Sequence, residues 1–424
     1  MRDTPRATAP PRHRATRKSK PAIAATHAAS STDRLKTTIL SNSDLRAPAT
    51  RATITRSHPV MPDHPAPAAL KDWFDAARYQ SIARQLAAIT PSFATAQFLE
   101  SVLDGLESRS LMARLHQCAV AAGHALPGTY REKVGFLRLL APELNHEFVA
   151  IFLCDFVASH GLDDFDFSLE ALRYFTVFGS AEFAIRAFLQ ADQARTLETM
   201  RRWSLDADEK VRRLASEGSR PRLPWGAQLP ALILDPSPTA PILEALKDDP
   251  SLSVRRSVAN HLNDISKNHP HQVIAQLQSW DLQRDHLRWI AQHACRTLVK
   301  KGHPGALQLL GFGQRPEIAA TLTASPAILP LGRRLTLNTT LTTTAPHPQS
   351  LVVDYVIHYV KASGHTAEKV FKWTNLTLPP HTSITLTKSQ IIRDFTTRRH
   401  HPGIHRIDLQ INGIRIADTS FLLQ

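Results

Sequence analysis

The chain has 424 residues, 42% of them hydrophobic, and a formal charge of +14 at neutral pH; that length suits two or three domains, and no apolar run is long enough to span a membrane. Its three cysteines, Cys118, Cys154 and Cys295, are far apart and form no CxxC pair, which argues against a disulfide framework and a zinc site and for a reducing compartment. The charge is unevenly placed, +9 over residues 1–60, −6 over 61–200, +5 over 201–325 and +6 over 326–424, so two basic folded blocks adjoin at the C-terminal end and a polyanion is the expected partner.

Residues 1–67 are rich in Ala, Pro, Thr and Arg, with few large apolar side chains, and are expected to be disordered. The stretch has no apolar core of the kind a secretory signal needs. Being basic and poor in acids, it resembles a transit peptide or a nucleic-acid-binding tail. Alternatively, translation begins at Met61, where "MPDHPAPAALKDWFD" reads as an ordinary bacterial start. Residues 1–60 are expected to be dispensable for folding.

Residues 68–325 read as helical throughout. In "DWFDAARYQSIARQLAAI" the apolar residues Trp73, Phe74, Ala77, Ile82, Leu86 and Ile89 lie near helical spacing. A repeat follows: "DADEKVRRLASEG" and "DPSLSVRRSVANHL" share an acid, a short gap, Val-Arg-Arg and then small residues, and "RDHLRWIAQHACRTL" echoes them. The period of Val211, Val254 and Leu287 is that of HEAT-type helix pairs, which bury a core only by stacking. From 326 the texture changes. "RRLTLNTTLTTT", "LVVDYVIHYVKA", "EKVFKWTNLTL", "SITLTKSQII" and "HRIDLQING" alternate apolar and polar residues between turn signals, which predicts a small antiparallel Ig-like β-sandwich over 326–424.

Several residues stand out. On the helix through Val254, one stripe (Val254, Val258, His261, Leu262, Ile265) should be core. The adjacent stripe holds Arg256, Asn260, Asp264 and Lys267; it is either a solvated, self-paired face or a carboxylate held ready by neighbouring Asn and Arg groups. Glu217 is the repeat equivalent of Asn260 and sits near a helix end, against the favourable sign of the dipole; it is either an accident paired with a nearby arginine or a functional acid. Glu182 sits in the first turn of a helix, where Glu is unremarkable. Trp225, between Pro224 and Gly226, is a loop tryptophan, either a packing plug or a contact. The basic pairs Arg212–Arg213, Arg255–Arg256 and Lys300–Lys301 suggest phosphate contacts, although one arginine of such a pair often bonds between repeats. Lys361 and Arg398–Arg399 fall at predicted turns of the β region, the latter in "TTRRHHPGIH". The scattered histidines give no metal motif, and no nucleotide-binding loop or nucleophile elbow is present.

Taken together, "GSAEFAIRAFL", "VRRLASEGSRPRLPWG", "DPSLSVRRSVANHLNDISKNHP", "RTLVKKGHPGALQLLGF", "VVDYVIHYVKASG", "KVFK" and "TTRRHHPGIH" resemble the AlkC branch of the HEAT-repeat alkylpurine DNA glycosylases over residues 70–424. Ala187 stands where that family commonly has Pro, and His400–His401 replaces an aromatic pair. The resemblance implies a HEAT-like α-solenoid catalytic domain (68–325) followed by an Ig-like DNA-binding domain (326–424). It implies a cofactor-free, monomeric bacterial base-excision enzyme of the cytoplasm, acting on double-stranded DNA at the nucleoid and releasing 3-methyladenine and similar cationic bases, with no membrane partner. It makes Glu182, Glu217 and Asp264 the catalytic carboxylates, with Trp225, Asn260 and Arg256 at the substrate and Arg212, Arg213, Arg255, Lys300, Lys301, Lys361, Arg398 and Arg399 on the DNA. The rival readings are a non-catalytic scaffold on damaged DNA, against which the three acids at the family's positions argue, and a protein–protein adaptor, against which the charge distribution argues.

Overall fold

A computed structural model describes residues 69–424, apart from 314, 396 and 397; the disorder expected for residues 1–67 lies outside the described residues. Helices run from the short Leu70–Phe74 turn to Pro304–Leu309. Asp75 breaks the first predicted helix: its side chain accepts the Arg78 amide and starts the helix Ala76–Ile89 afresh. No helix among the described residues is long and apolar enough to cross a membrane.

The repeat is real in three dimensions. Val211, Val254 and Leu287 are buried on the helices Glu209–Glu217, Leu252–Ile265 and Asp285–Ala294, and the middle helix packs against both others. The arginine that follows each of these apolar residues staples its helix to the preceding turn. Arg212 Nη1 donates to the carbonyls of Asp206 and Ala207 at 2.9 and 2.8 Å. Arg255 Nη1 does the same to Asp249 and Pro250, and Arg288 Nε donates to Leu282. Arg212 also forks onto buried Asp249 at 2.6 and 3.2 Å, tying one repeat to the turn that opens the next.

Eight strands follow: β1 (Ile318–Ser325), β2 (Ile328–Leu329), β3 (Arg334–Thr343), β4 (Gln349–Val360), β5 (Thr366–Leu378), β6 (Ser383–Ile391), β7 (Gly403–Ile411) and β8 (Ile414–Leu423). They form sheets ordered β1-β3-β6 and β2-β8-β7-β4-β5, antiparallel except for the β2–β8 pair. Leu337, Leu341, Tyr355, Ile357, Leu409 and Phe421 are among the side chains that meet between them. The first strand starts eight residues before the boundary read at 326: Ile318, Ala320, Leu322 and Ala324 turn inward, but two of those four are alanines, too small to give a strong alternating signal.

The helical and β portions meet through small and polar groups. Gly302 and Gly413, both at positive φ, touch backbone to backbone, so that a Cβ on either would come within 2.7 Å of the other. Gln410 Nε2 donates to the Lys300 carbonyl at 3.1 Å. Beside them a cavity of about 250 Å³ is lined by Arg296, Lys300, Phe312, Asp354 and Lys372 among others. Asp354 is 1% exposed; its Oδ1 accepts no hydrogen bond among the described residues, and Lys372 Nζ stays 3.8 Å away. Burial, against the pull of Lys372 and Lys300, raises its pKa to about 6.

Two outcomes follow from this packing. A carboxyl whose pKa is raised on folding helps stability below its unfolded pKa and costs stability once pH rises through about 6. Asp354→Asn should therefore raise the melting temperature at pH 8, by the equivalent of about 1–3 kcal/mol, and change little at pH 4; equal shifts at both pH values would contradict this. Arg212→Ala leaves Asp249 buried without its fork and should cost about 2–4 kcal/mol in urea unfolding. Arg256→Ala, on an exposed side chain of the equivalent repeat, should stay within about 0.5 kcal/mol.

Candidate active site

The three acids singled out in the sequence lie in one chain of alternating charge that runs from Glu182, in the turn before the helix Ile185–Ala191 rather than in a helix's first turn, to the helices Glu209–Glu217 and Leu252–Ile265. Glu182 Oε2 accepts from Ser180 Oγ and Arg213 Nη1, both at 2.7 Å. Arg213 Nη2 reaches toward Glu217 Oε1 at 3.8 Å. The same oxygen accepts from Arg220 Nη1 at 2.6 Å. Arg220 then closes on Asp264 Oδ2 with Nε and Nη2, both at 2.8 Å, and Lys267 Nζ caps Asp264 Oδ1 at 2.9 Å. The order is acid, base, acid, base, acid, base.

Each member is set by its element. Glu217 ends the helix Glu209–Glu217, where the dipole disfavours an anion. Arg220 and the Ser257 hydroxyl, which donates to Oε2 at 2.6 Å, offset that. Asp264 sits on Leu252–Ile265 and is deeper than the stripe suggested, its side chain 3% exposed. The predicted core stripe from Val254 to Ile265 is buried, and His261 within it belongs to the site's underside. Its Nδ1 is 3.0 Å from the Ser216 carbonyl, and burial, outweighing the pull of Asp264, lowers its pKa to about 4, so the ring is neutral at pH 7. Arg220 is the member the sequence reading missed, having weighed it only as a chance partner of Glu217. Burial works against its charge, but Glu217 and Asp264 outweigh burial and raise its pKa. The one available signal was its place three residues after Glu217, where the chain leaves the helix.

Trp225 lies in the loop after Arg220 with φ at +65° and is 68% exposed, so it is no packing plug. Asn260 Oδ1 accepts from Arg296 Nη2 at 3.1 Å, and Arg256 is exposed one turn away. The basic pairs divide. Arg212 and Arg255 are committed to the turns described above, and Arg213 is committed to the acids, so the phosphate contacts expected of all three do not fit their surroundings. Lys300 and Lys301 are exposed. Lys361, in the turn after β4, is exposed as well. Arg398 lies with its guanidinium 5.7 Å from the Tyr359 ring, and Arg399 is exposed. Lys361 and Arg398 both act electrostatically on His400, so the two turns share one end of the sandwich. Phe395, 48% exposed beside them and with the Arg393 guanidinium 5.4 Å from its ring, was not anticipated. No group of His, Cys, Asp or Glu among the described residues is arranged to hold a metal.

Comparison with known proteins gives concordant matches. The profile of the C-terminal Ig-like domain of the uncharacterised protein YhaZ matches residues 319–424. The uncharacterised protein YhaZ of Bacillus subtilis is 40% identical over 325 residues, 76% of this chain and 90% of that protein. A structure of the Pseudomonas fluorescens alkylpurine DNA glycosylase AlkC, bound to DNA containing an abasic-site analogue, is 47% identical and superposes with a TM-score of 0.82 over 84% of this chain and all of that one.

Proposed function

The chain belongs to the AlkC family of alkylpurine DNA glycosylases, and from that premise we propose that Glu182, Glu217 and Asp264 carry out hydrolysis of the N-glycosidic bond of cationic purines, chiefly 3-methyladenine, in double-stranded DNA. The enzyme is a DNA glycosylase of base-excision repair, and DNA is its partner; we take it to act as a monomer without a cofactor. The observation that carries the residue assignment is the convergence of three acids, one from a turn and two from repeat helices, on two shared arginines.

The chemistry asks for such groups. When the bond between C1′ and the purine nitrogen breaks, the electron pair goes to the base, which becomes neutral, and positive charge develops on the sugar. Fixed carboxylates stabilise that charge. Water then adds to C1′ and gives up a proton. Glu182 is the least buried acid of the three, its side chain 15% exposed, and the Ser180 and Arg213 hydrogen bonds both fall on its Oε2, which favours its Oε1 for orienting that water. Lys267 is 38% exposed and is the ladder's outermost cation. Drawn to a DNA phosphate, it would leave Asp264 Oδ1 uncompensated beside the developing charge. Trp225 and Arg256 are accessible for contact with the lesion and its strand, and Asn260 orients Arg296. Lys300, Lys301, Lys361, Arg398 and Arg399 supply the backbone contacts, with Phe395 as an apolar tip for a groove.

The direct test is release of the modified base from N-methylpurine DNA by the purified chain. Glu217→Gln and Asp264→Asn should each lose roughly two decades of single-turnover rate while keeping DNA affinity within a few-fold. Wild-type rates in both would remove them from the chemistry. Replacing Arg398 and Arg399 together by alanine should flatten the slope of log K against log salt by about one to two units, since each phosphate contact contributes about 0.9; an unchanged slope would take this end of the sandwich off the DNA.

A further inference from the structure

The loop from Gly218 to Leu229 carries two of the side chains used above, Arg220 near its start and Trp225 near its tip, and both ends of that loop rest on one buried guanidinium. Arg186, on the helix Ile185–Ala191, is 1% exposed. Its Nη1 donates to the carbonyls of Gly218 and Arg220 at 3.0 and 2.9 Å, and its Nε donates to that of Ala227. The loop is otherwise closed on itself by Gly226 N to Leu223 O and Leu229 N to Pro221 O, and pinned at Arg222, whose Nη2 donates to Asn268 Oδ1 at 3.0 Å. It packs on Arg186 without spare room: a Cβ at Gly226 would come 3.2 Å from Arg186 Cδ, and one at Gly218 would come 2.5 Å from Ile185 Cγ2.

Arg186 has no carboxylate partner within ion-pair distance among the described residues, and its Nη2 makes no hydrogen bond there. A buried cation without a counter-ion is costly. Burial first, and then repulsion from Arg220, lowers its pKa to about 10, which still leaves it charged at pH 7. A neutral donor would serve if three carbonyls merely needed capping. A planar fork can reach carbonyls at both ends of a loop at once, and its charge pushes Arg220 away from itself.

We propose that Arg186 is a positioning residue for the reaction: it fixes the Gly218–Leu229 loop so that Arg220 stands between Glu217 and Asp264 while Trp225 is presented to the DNA. This rests on the glycosylase reading, because the loop's two functional side chains take their meaning from it. Arg186 itself touches neither acid. Its contribution is that the same anchor holds both the cation that binds the acids and the exposed ring, so that disturbing one disturbs the other.

The experiment uses the full chain with Arg186→Lys, Arg186→Ala and Gly226→Ala. Single-turnover excision is measured alongside half-saturating DNA concentration, melting temperature, and acrylamide quenching of Trp225, taken as the difference from a Trp225→Phe background. Arg186→Lys is expected to lose about ten- to a hundred-fold in rate with half-saturation changed less than about three-fold, and to alter Trp225 quenching. Gly226→Ala, which shifts the anchor by a few tenths of an ångström, is expected to give a smaller loss in the same direction, and millimolar methylguanidinium is expected to restore part of the Arg186→Ala rate. A wild-type rate in Arg186→Lys overturns the proposal, as does a rate loss that follows the fall in melting temperature across the variants with unchanged Trp225 quenching and no rescue. If the wild-type chain itself releases no base, the glycosylase reading fails instead; quenching then decides separately whether Arg186 sets the loop.

Discussion

Arg220 holds two carboxylates from different repeats, Glu217 and Asp264, within 2.8 Å of one guanidinium, and the rest of the site depends on that bridge. Neither acid has another cation of comparable burial: Arg213 is 3.8 Å from Glu217, and Lys267 is 38% exposed. Removing Arg220 would leave Glu217 without a hydrogen-bonded cation and Asp264 with only the half-exposed Lys267, which is far more costly than breaking a surface pair. The alternation from Glu182 to Lys267 therefore does two things at once. It makes it affordable to withdraw three acids from water, and, together with the Arg212–Asp249 fork and the Ser257–Glu217 bond, it fixes the offset between successive helix pairs that stacking alone leaves loose.

Charge used in this way is not available to DNA. Arg212, Arg213, Arg220 and Arg255 are all turned inward onto acids or carbonyls, and the block from 61 to 325 has almost no net charge to spare. Cations proposed for the DNA are exposed elsewhere, at Arg256, Lys300 and Lys301 and at the β end around Lys361 and Arg399. Attraction for a polyanion and stabilisation of a cationic centre make opposite electrostatic demands, since the first needs uncompensated positive charge and the second needs negative charge. On the proposed assignment both demands are met by facing the charges differently: the acids are turned into the ladder, whereas Arg256 on the same helix as Asp264 and the cations of the β end are left exposed.

Much of this was legible in the sequence, for a physical reason. Val211, Val254 and Leu287 recur because each repeat needs the same buried contact, and periodic burial is what a sequence displays best. The acids were found through the motifs that hold them. Arg220 was not, because a residue that leaves a helix and turns back into the site shows no periodicity. Arg186 was hidden for the opposite reason: placed by period within an apolar stretch, it gives no sign that its guanidinium spans a distant loop. The pairs Val-Arg-Arg showed the right residues but not their division of labour, since whether the first arginine reaches a turn or a phosphate depends on the path of the preceding chain. At Ile318–Ser325 alanines weakened the alternation, and the start of the sandwich was read eight residues late.

The neutral state of His261 bears on which bases such a site releases. This imidazole lies beside the acids Asp264 and Glu217, its Nδ1 is tied to the Ser216 carbonyl, and its pKa of about 4 keeps it unprotonated under physiological conditions. The acids of the ladder are bound to cations, and its cations belong to strong bases that keep their protons, directed at those acids. Such a set stabilises positive charge well and donates a proton poorly. Expelling an ordinary neutral purine demands a proton on the leaving base or an equivalent donor, whereas a purine alkylated on a ring nitrogen carries its positive charge from the start. On the proposed assignment, selectivity for cationic lesions needs no tight pocket around the base: it follows from a site that supplies the one form of help such a base lacks, stabilisation of the sugar, and withholds the form that undamaged bases require.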